Sequence, residues 1–271
     1  MKIIGLDIGS ITAKLVLFDG EKIAFRQSYN ISERSEIVAK KAIEQALAVN
    51  SLARSDIDLV VATGYSRESD SYADLQKSTN ICLYKGGIAL FPEVRTIVEV
   101  GAEDATVISL DKTGRLIDYA SNDKCAAGAG IFLEAMAEAL GLSLDEIVEE
   151  AMKAESSVKI TSTCTVFAEQ EVLSHAFEDP PPSTAEIVAG IHESLVFRIA
   201  GLAMKVMTVP PILLCGGVAL NKFFVKRFNE QLKTEVNVTE YPQLVAALGA
   251  AMIGKNEVLN RRERDYGRSR A

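Results

Sequence analysis

The chain opens on apolar runs punctuated by glycine, and the same arrangement returns in its middle third. IIGLDIGSITAKLVLFDGEKI, starting at Ile3, reads as a strand, a glycine turn, a second strand and a turn at Asp19-Gly20 into a third. Residues 35–53 follow helical spacing, with Ile37, Val38, Ala42, Ile43 and Leu47 on the apolar positions. IDLVVATGY, from Ile57, is an apolar run ending in a turn at Gly64, the pattern of a buried strand. TIVEVGAEDATVISLDKTGRLIDY, from Thr96, then repeats the opening. Asp7-Ile8-Gly9-Ser10 falls on Glu99-Val100-Gly101-Ala102, and Leu15 to Asp19 on Val107 to Asp111. Gly20 matches Gly114 after two inserted residues. Two related lobes, each beginning with an acidic, glycine-containing hairpin, account for this order.

Two helical stretches follow the second hairpin, each directly behind a cysteine. Behind Cys125, Leu133, Met136 and Leu140 form an apolar stripe; behind Cys164, Val166, Phe167, Val172 and Leu173 are apolar. Pro180-Pro181-Pro182 breaks the chain, and Ser183 or Thr184 can cap a long helix running to about residue 207. PPILLCGGVALN is a strand, a glycine turn and the start of a helix, and PQLVAALGAAMIG is a small-residue helix suited to close packing against a neighbour.

Composition narrows the function classes. With 271 residues, 48% hydrophobic and 24% charged, the chain can bury a sizeable core. No run approaches the roughly 18 apolar residues of a membrane span, and MKIIGLDIGS lacks the features of a signal peptide, so a cytoplasmic protein without membrane contact is expected. A net charge of −8 argues against nucleic acid as a partner. The locally basic end RRERDYGRSRA has mixed signs and is expected to fray. Cys82, Cys125, Cys164 and Cys215 form no CxxC pair and are buried thiols or ligands; Cys82, in a loop-like segment, and Cys215, completing a buried strand, are read as thiols. His175 and His192 lie in helix-like segments with no second ligand nearby and are read as structural or surface residues.

The two hairpin turns carry candidate phosphate chemistry. In Asp7-Ile8-Gly9-Ser10, successive backbone N–H groups and the Ser10 hydroxyl can hold phosphate oxygens. Asp7 can reach a magnesium ion through its waters, and Lys14 adds a positive charge. Gly101 and Asp104 stand at the equivalent second turn, and Cys215-Gly216-Gly217 follows a third buried strand. Either these are ordinary turns, or a nucleotide is held between two lobes with its adenosine near the glycine pair. No P-loop and no GxGxxG is present.

The motifs GLDIGSITAK, ATGYSR, LFPEVRTI, NDKCAAGAGIFLE, TSTCTVFAEQEV, AGIHESL, CGGVALNK and PQLVAALGAA run almost end to end. Together they resemble the ATP-dependent activators of 2-hydroxyacyl-CoA dehydratases, related to the ATPase subunits of benzoyl-CoA reductase. That resemblance implies an α/β fold of two related lobes, the ribonuclease H-like ATPase fold of acetate kinase, sugar kinases, Hsp70 and actin. The first lobe would span 1–90, with a helix at about 243–258 returning to it; the second would span 91–242, and 259–271 would be a tail. It also implies a homodimer with one 4Fe-4S cluster between the subunits, held by Cys125 and Cys164 of each chain. Four thiolates from two per chain require two-fold symmetry. Ala126, Ala127 and Gly128 would let the backbone approach the cluster, and each following helix would point its positive end there, worth ~0.3–1 kcal/mol.

Function and roles follow from the same resemblance. ATP hydrolysis would drive a low-potential electron from ferredoxin or flavodoxin to a dehydratase-like iron–sulfur enzyme, in an oxygen-sensitive protein. Asp7 is assigned to magnesium; Gly9, Ser10, Ile11, Thr12, Lys14, Gly101 and Ala102 to the phosphates of ATP or ADP; Glu103 and Asp104, with Asp7, to hydrolysis; and Gly216 and Gly217 to the adenosine side. The chain departs from the family in several places. Gly101-Ala102-Glu103-Asp104 stands where a GGQD turn is usual, so Glu103 puts a carboxylate in place of an amide. Such a charge either disfavours ATP or serves the attacking water. Ile11 replaces a hydroxyl residue, CLYKGG lacks a histidine usual after Cys82, and Ile131 stands where arginine is common. The rivals are a small-molecule kinase of the same superfamily and a nucleotide-sensing module without turnover.

Overall fold

The computed structural model describes residues 1–65, 72–122, 130–161 and 165–268. They form two compact units, Met1–Glu93 with Gln243–Ala271, and Val94–Pro242. No helix among the described residues is long and apolar enough to cross a membrane.

The first unit is built on β1 (Ile3–Ile8), a strand buried along its whole length because both faces are covered. β2 (Thr12–Phe18) runs antiparallel to β1 and continues into β3 (Ile23–Asn30), whose alternating burial marks a strand with one wet face. On the other side β4 (Leu59–Gly64) lies parallel to β1, followed by the short β5 (Leu75–Gln76), for a sheet order β3-β2-β1-β4-β5. One face, with Leu6, Ile8, Leu15 and Ala62, packs on α1 (Ser35–Val49) through Val38, Ala42 and Ile43. α2 (Thr79–Leu90) packs against α8 (Val245–Arg268), which also lies on β1 and β4.

The second unit repeats this plan. β6 (Thr96–Val100), β7 (Ala105–Leu110) and β8 (Leu116–Ser121) form the antiparallel meander; β9 (Ile212–Cys215) lies parallel to β6, and β10 (Val236–Val238) completes the order β10-β9-β6-β7-β8. The registers correspond residue by residue: Asp7 pairs with Lys14 and Glu99 with Thr106, while Thr63 and Cys215 take the equivalent places on the parallel strands. Both second strands shift register near their ends, at Leu17/Phe18 and Ser109/Leu110. Helices α3 (Gly130–Ala139), α4 (Leu144–Ala151), α5 (Thr165–Ala176), α6 (Thr184–Ala203) and α7 (Lys222–Leu232) accompany this sheet. Its core takes Phe132, Leu133 and Met136 from α3, Val172 from α5, and half of α6.

Three expectations are corrected. Cys82 lies within α2 and not in a loop; Gly86, one of the two glycines that weaken this segment's helical signal, sits where α8 approaches. The basic end is helical to Arg268, held by Arg261 pairing with Glu257 at 2.9 Å and Arg262 reaching Asp58 at 3.2 Å. α6 stops at Ala203, short of residue 207.

Candidate functional site

In the first unit, Asp7 sits at the penultimate position of β1, 8% exposed. Its Oδ2 is 3.5 Å from Lys14 Nζ, the registered neighbour on β2. The Gly9 N–H donates to the Thr12 carbonyl at 3.0 Å and closes the turn, which makes Ser10 and Ile11 its tip. Gly64, at the end of β4, adopts φ +94°, and a Cβ there would lie 2.7 Å from Asp7 Oδ1. Close approach to this carboxylate therefore requires glycine. The structure thus brings Asp7, Gly9, Thr12 and Lys14 together around one turn.

The second unit builds the equivalent turn. Gly101 N–H donates to the Asp104 carbonyl at 2.8 Å, leaving Ala102 and Glu103 at the tip. Glu103 and Asp104 are exposed. Asn122, at the end of β8, clamps the turn: its Oδ1 accepts from Ala105 N–H at 2.7 Å and its Nδ2 donates to the Glu103 carbonyl at 3.1 Å. The carbonyls of Gly101 and Ala102 accept from the N–H groups of Gly130 and Ile131 at 2.9 and 2.8 Å, so the turn supplies acceptors for the first amides of α3. Gly216 has φ +88° and takes the place Gly64 takes in the first unit, against the Val100 backbone; its N–H donates to the Pro242 carbonyl at 2.9 Å. Gly217 starts the short 3-10 turn Gly217–Leu220 that leads into α7.

The sequence matches the BadF/BadG/BcrA/BcrD ATPase family across residues 4–254. The chain belongs to that family. It is 40% identical over 258 residues to the 2-hydroxyisocaproyl-CoA dehydratase activator of Clostridioides difficile, covering 95% of this chain and 96% of that protein. It is 40% identical over 253 residues to the activator of lactoyl-CoA dehydratase of Anaerotignum propionicum, covering 93% and 96%. A solved structure of the Clostridium difficile 2-hydroxyisocaproyl-CoA dehydratase activator with bound ADPNP superposes with a TM-score of 0.89 at 38% identity, over 97% of this chain and 98% of that one. The fold is therefore the two-lobed α/β ATPase fold expected.

The remaining residues of this ATPase-family chain divide by burial. Cys125 and Cys164 lie outside the described residues. Cys82 and Cys215 are buried thiols, and burial, with Glu99 alongside, pushes the Cys215 thiol well above its ordinary range, which keeps it protonated and unreactive. Just after Cys164, Val166 and Phe167 are 60% and 63% exposed, whereas Val172 further along α5 is buried. Among the described residues no three His, Cys, Asp or Glu side chains converge on a metal position. The chemistry at the first turn, one carboxylate beside a lysine and a tight backbone, suits a magnesium ion that keeps most of its waters.

Glu99 occupies the Asp7 position of the second unit, as the internal repeat aligns it, although the sequence assigns it no role. One residue beside the first turn escaped sequence reasoning. Thr63 stands beside Asp7 on β4, and only strand register reveals that.

Proposed function

We propose that this chain is the ATP-hydrolysing activator of a 2-hydroxyacyl-CoA dehydratase-like iron–sulfur enzyme. It works as a cytoplasmic homodimer with one bridging 4Fe-4S cluster. Its end-to-end likeness, at 40% identity, to proteins named as dehydratase activators carries this reading. Asp7 holds the waters of magnesium, while the tip Ser10–Ile11, Thr12 and Lys14 take phosphate oxygens. Ala102 presents a second tip amide, with Gly9 and Gly101 closing their turns. Glu103 and Asp104, both exposed, orient the hydrolytic water. Gly216 and Gly217 let the backbone approach adenosine.

Cys125 and Cys164 are the cluster ligands, and the cluster, when bound, supplies one low-potential electron received from ferredoxin or flavodoxin. The exposed Val166 and Phe167 behind Cys164 support burial of that face against a second copy. The link from the Gly101–Ala102 carbonyls to the first amides of α3 supports communication between the nucleotide turn and the segment that follows Cys125.

The test is anaerobic purification followed by three measurements: iron and sulfide content, ATP hydrolysis, and activation of a 2-hydroxyacyl-CoA dehydratase with reduced ferredoxin. About four irons per dimer, hydrolysis and ATP-dependent activation are expected. Iron-free protein that phosphorylates a small molecule would assign the chain to a kinase instead. Tight ATP binding without hydrolysis would assign it to nucleotide sensing.

A further inference from the structure

Thr63 and Asp7 are registered partners on adjacent parallel strands, so their side chains leave the sheet on the same face. Lys14, registered to Asp7 from the other side, leaves by that face too and reaches the carboxylate. Thr63 has no solvent exposure, and its hydroxyl has no hydrogen-bond partner among the described residues. A buried, unpaired hydroxyl is disfavoured relative to a methyl of the same shape. The preceding residues of β4, from Leu59 to Ala62, are all buried and apolar, so a valine would serve this strand better. Departure from a local rule at one position beside a charged pair marks a functional requirement. Gly64 then keeps the space against Asp7 Oδ1 clear of any side chain.

We propose that Thr63 is a positioning residue for the cation–nucleotide complex at the first turn. Its hydroxyl takes a water of the divalent cation's shell, beside the waters held by Asp7. The inference rests on the nucleotide reading above and deepens it. Magnesium dehydrates reluctantly and is held largely through its waters, so a hydroxyl next to the single carboxylate adds a hydrogen-bonding partner without adding charge. In the chain without ligand the hydroxyl is unpaired, and nucleotide with its cation supplies the missing partner.

Thr63→Val retains the shape and removes the hydroxyl. ADP binding is measured by calorimetry on the full chain, once with magnesium and once in EDTA, beside the melting temperature without ligand. In the variant, the gain in ADP affinity conferred by magnesium falls roughly tenfold, as loss of a hydrogen bond within a charged site implies. Metal-free ADP binding stays at the wild-type level, and the ligand-free melting temperature rises by roughly 2–4 °C. Thr63→Ser restores the magnesium gain. An unchanged magnesium gain in Thr63→Val overturns the inference. So does equal weakening of ADP with and without magnesium in a less stable protein, which assigns Thr63 to packing alone. A wild-type chain that binds no ADP under either condition overturns the nucleotide reading itself.

Discussion

His192 lies wholly inside α6, its Nδ1 2.7 Å from the Val188 carbonyl and its Nε2 2.9 Å from Asn221 Nδ2. The carbonyl can only accept and the amide can donate, so Nδ1 carries the proton and the ring is neutral. Burial pushes its pKa down to about 4, against a modest opposing effect of the Val188 carbonyl. In the unfolded chain the ring returns to 6.5, so between those values the unfolded state binds a proton that the folded state refuses. Stability from this residue is therefore complete above about pH 7 and declines as pH falls towards 4, by on the order of 3 kcal/mol. His192→Gln is expected to flatten the urea-midpoint profile between about pH 6.5 and 4.5, before the lowered carboxylates such as Glu146 and Glu186 begin to titrate. Sequence treated His192 and His175 alike. Burial separates them, since His175 is partly exposed and pairs with Glu178 at 2.7 Å.

At the level of elements, the contact of α2 with α8 has the least tolerance. A Cβ at Gly249 would fall inside the Cys82 carbonyl oxygen, and one at Gly86 inside that of Val245, so the two backbones touch with no side chain between them. Gly249→Ala must drive the helices apart and is expected to destabilise by about 3 kcal/mol or more in chemical denaturation. Gly201→Ala, in α6 with nothing within 4 Å of the added methyl, is expected to stabilise by about 0.5–1 kcal/mol. The small-residue composition of α8 announced close packing, but not which neighbour it would meet. Helix starts were easier to read. Ser183 caps α6, with its oxygen accepting from Glu186 N–H at 3.2 Å and Glu186 Oε2 accepting from Ser183 N–H at 2.9 Å. Cys82 was misread because propensity is local, and two glycines lower it in a helix that packing stabilises.

For the whole molecule, the proposed cluster separates the four cysteines into two classes. Cys125→Ser and Cys164→Ser are each expected to abolish the iron and sulfide of anaerobically purified protein. Cys82→Ala and Cys215→Ala, which alter buried thiols in α2 and β9, are expected to retain both. Equal loss in all four would contradict the assignment of ligands. The sequence by itself determined the family, the duplicated meander and the turns carrying Asp7 and Asp104, because strand periodicity, glycine punctuation and motifs are local and recur at matching intervals. Only the tertiary structure decided that Gly9 and Gly101 close their turns, that the second turn accepts from the first amides of α3, and that Thr63 stands buried beside Asp7. Those relations join residues distant in sequence, and strand register and burial, which create them, are properties of the folded chain.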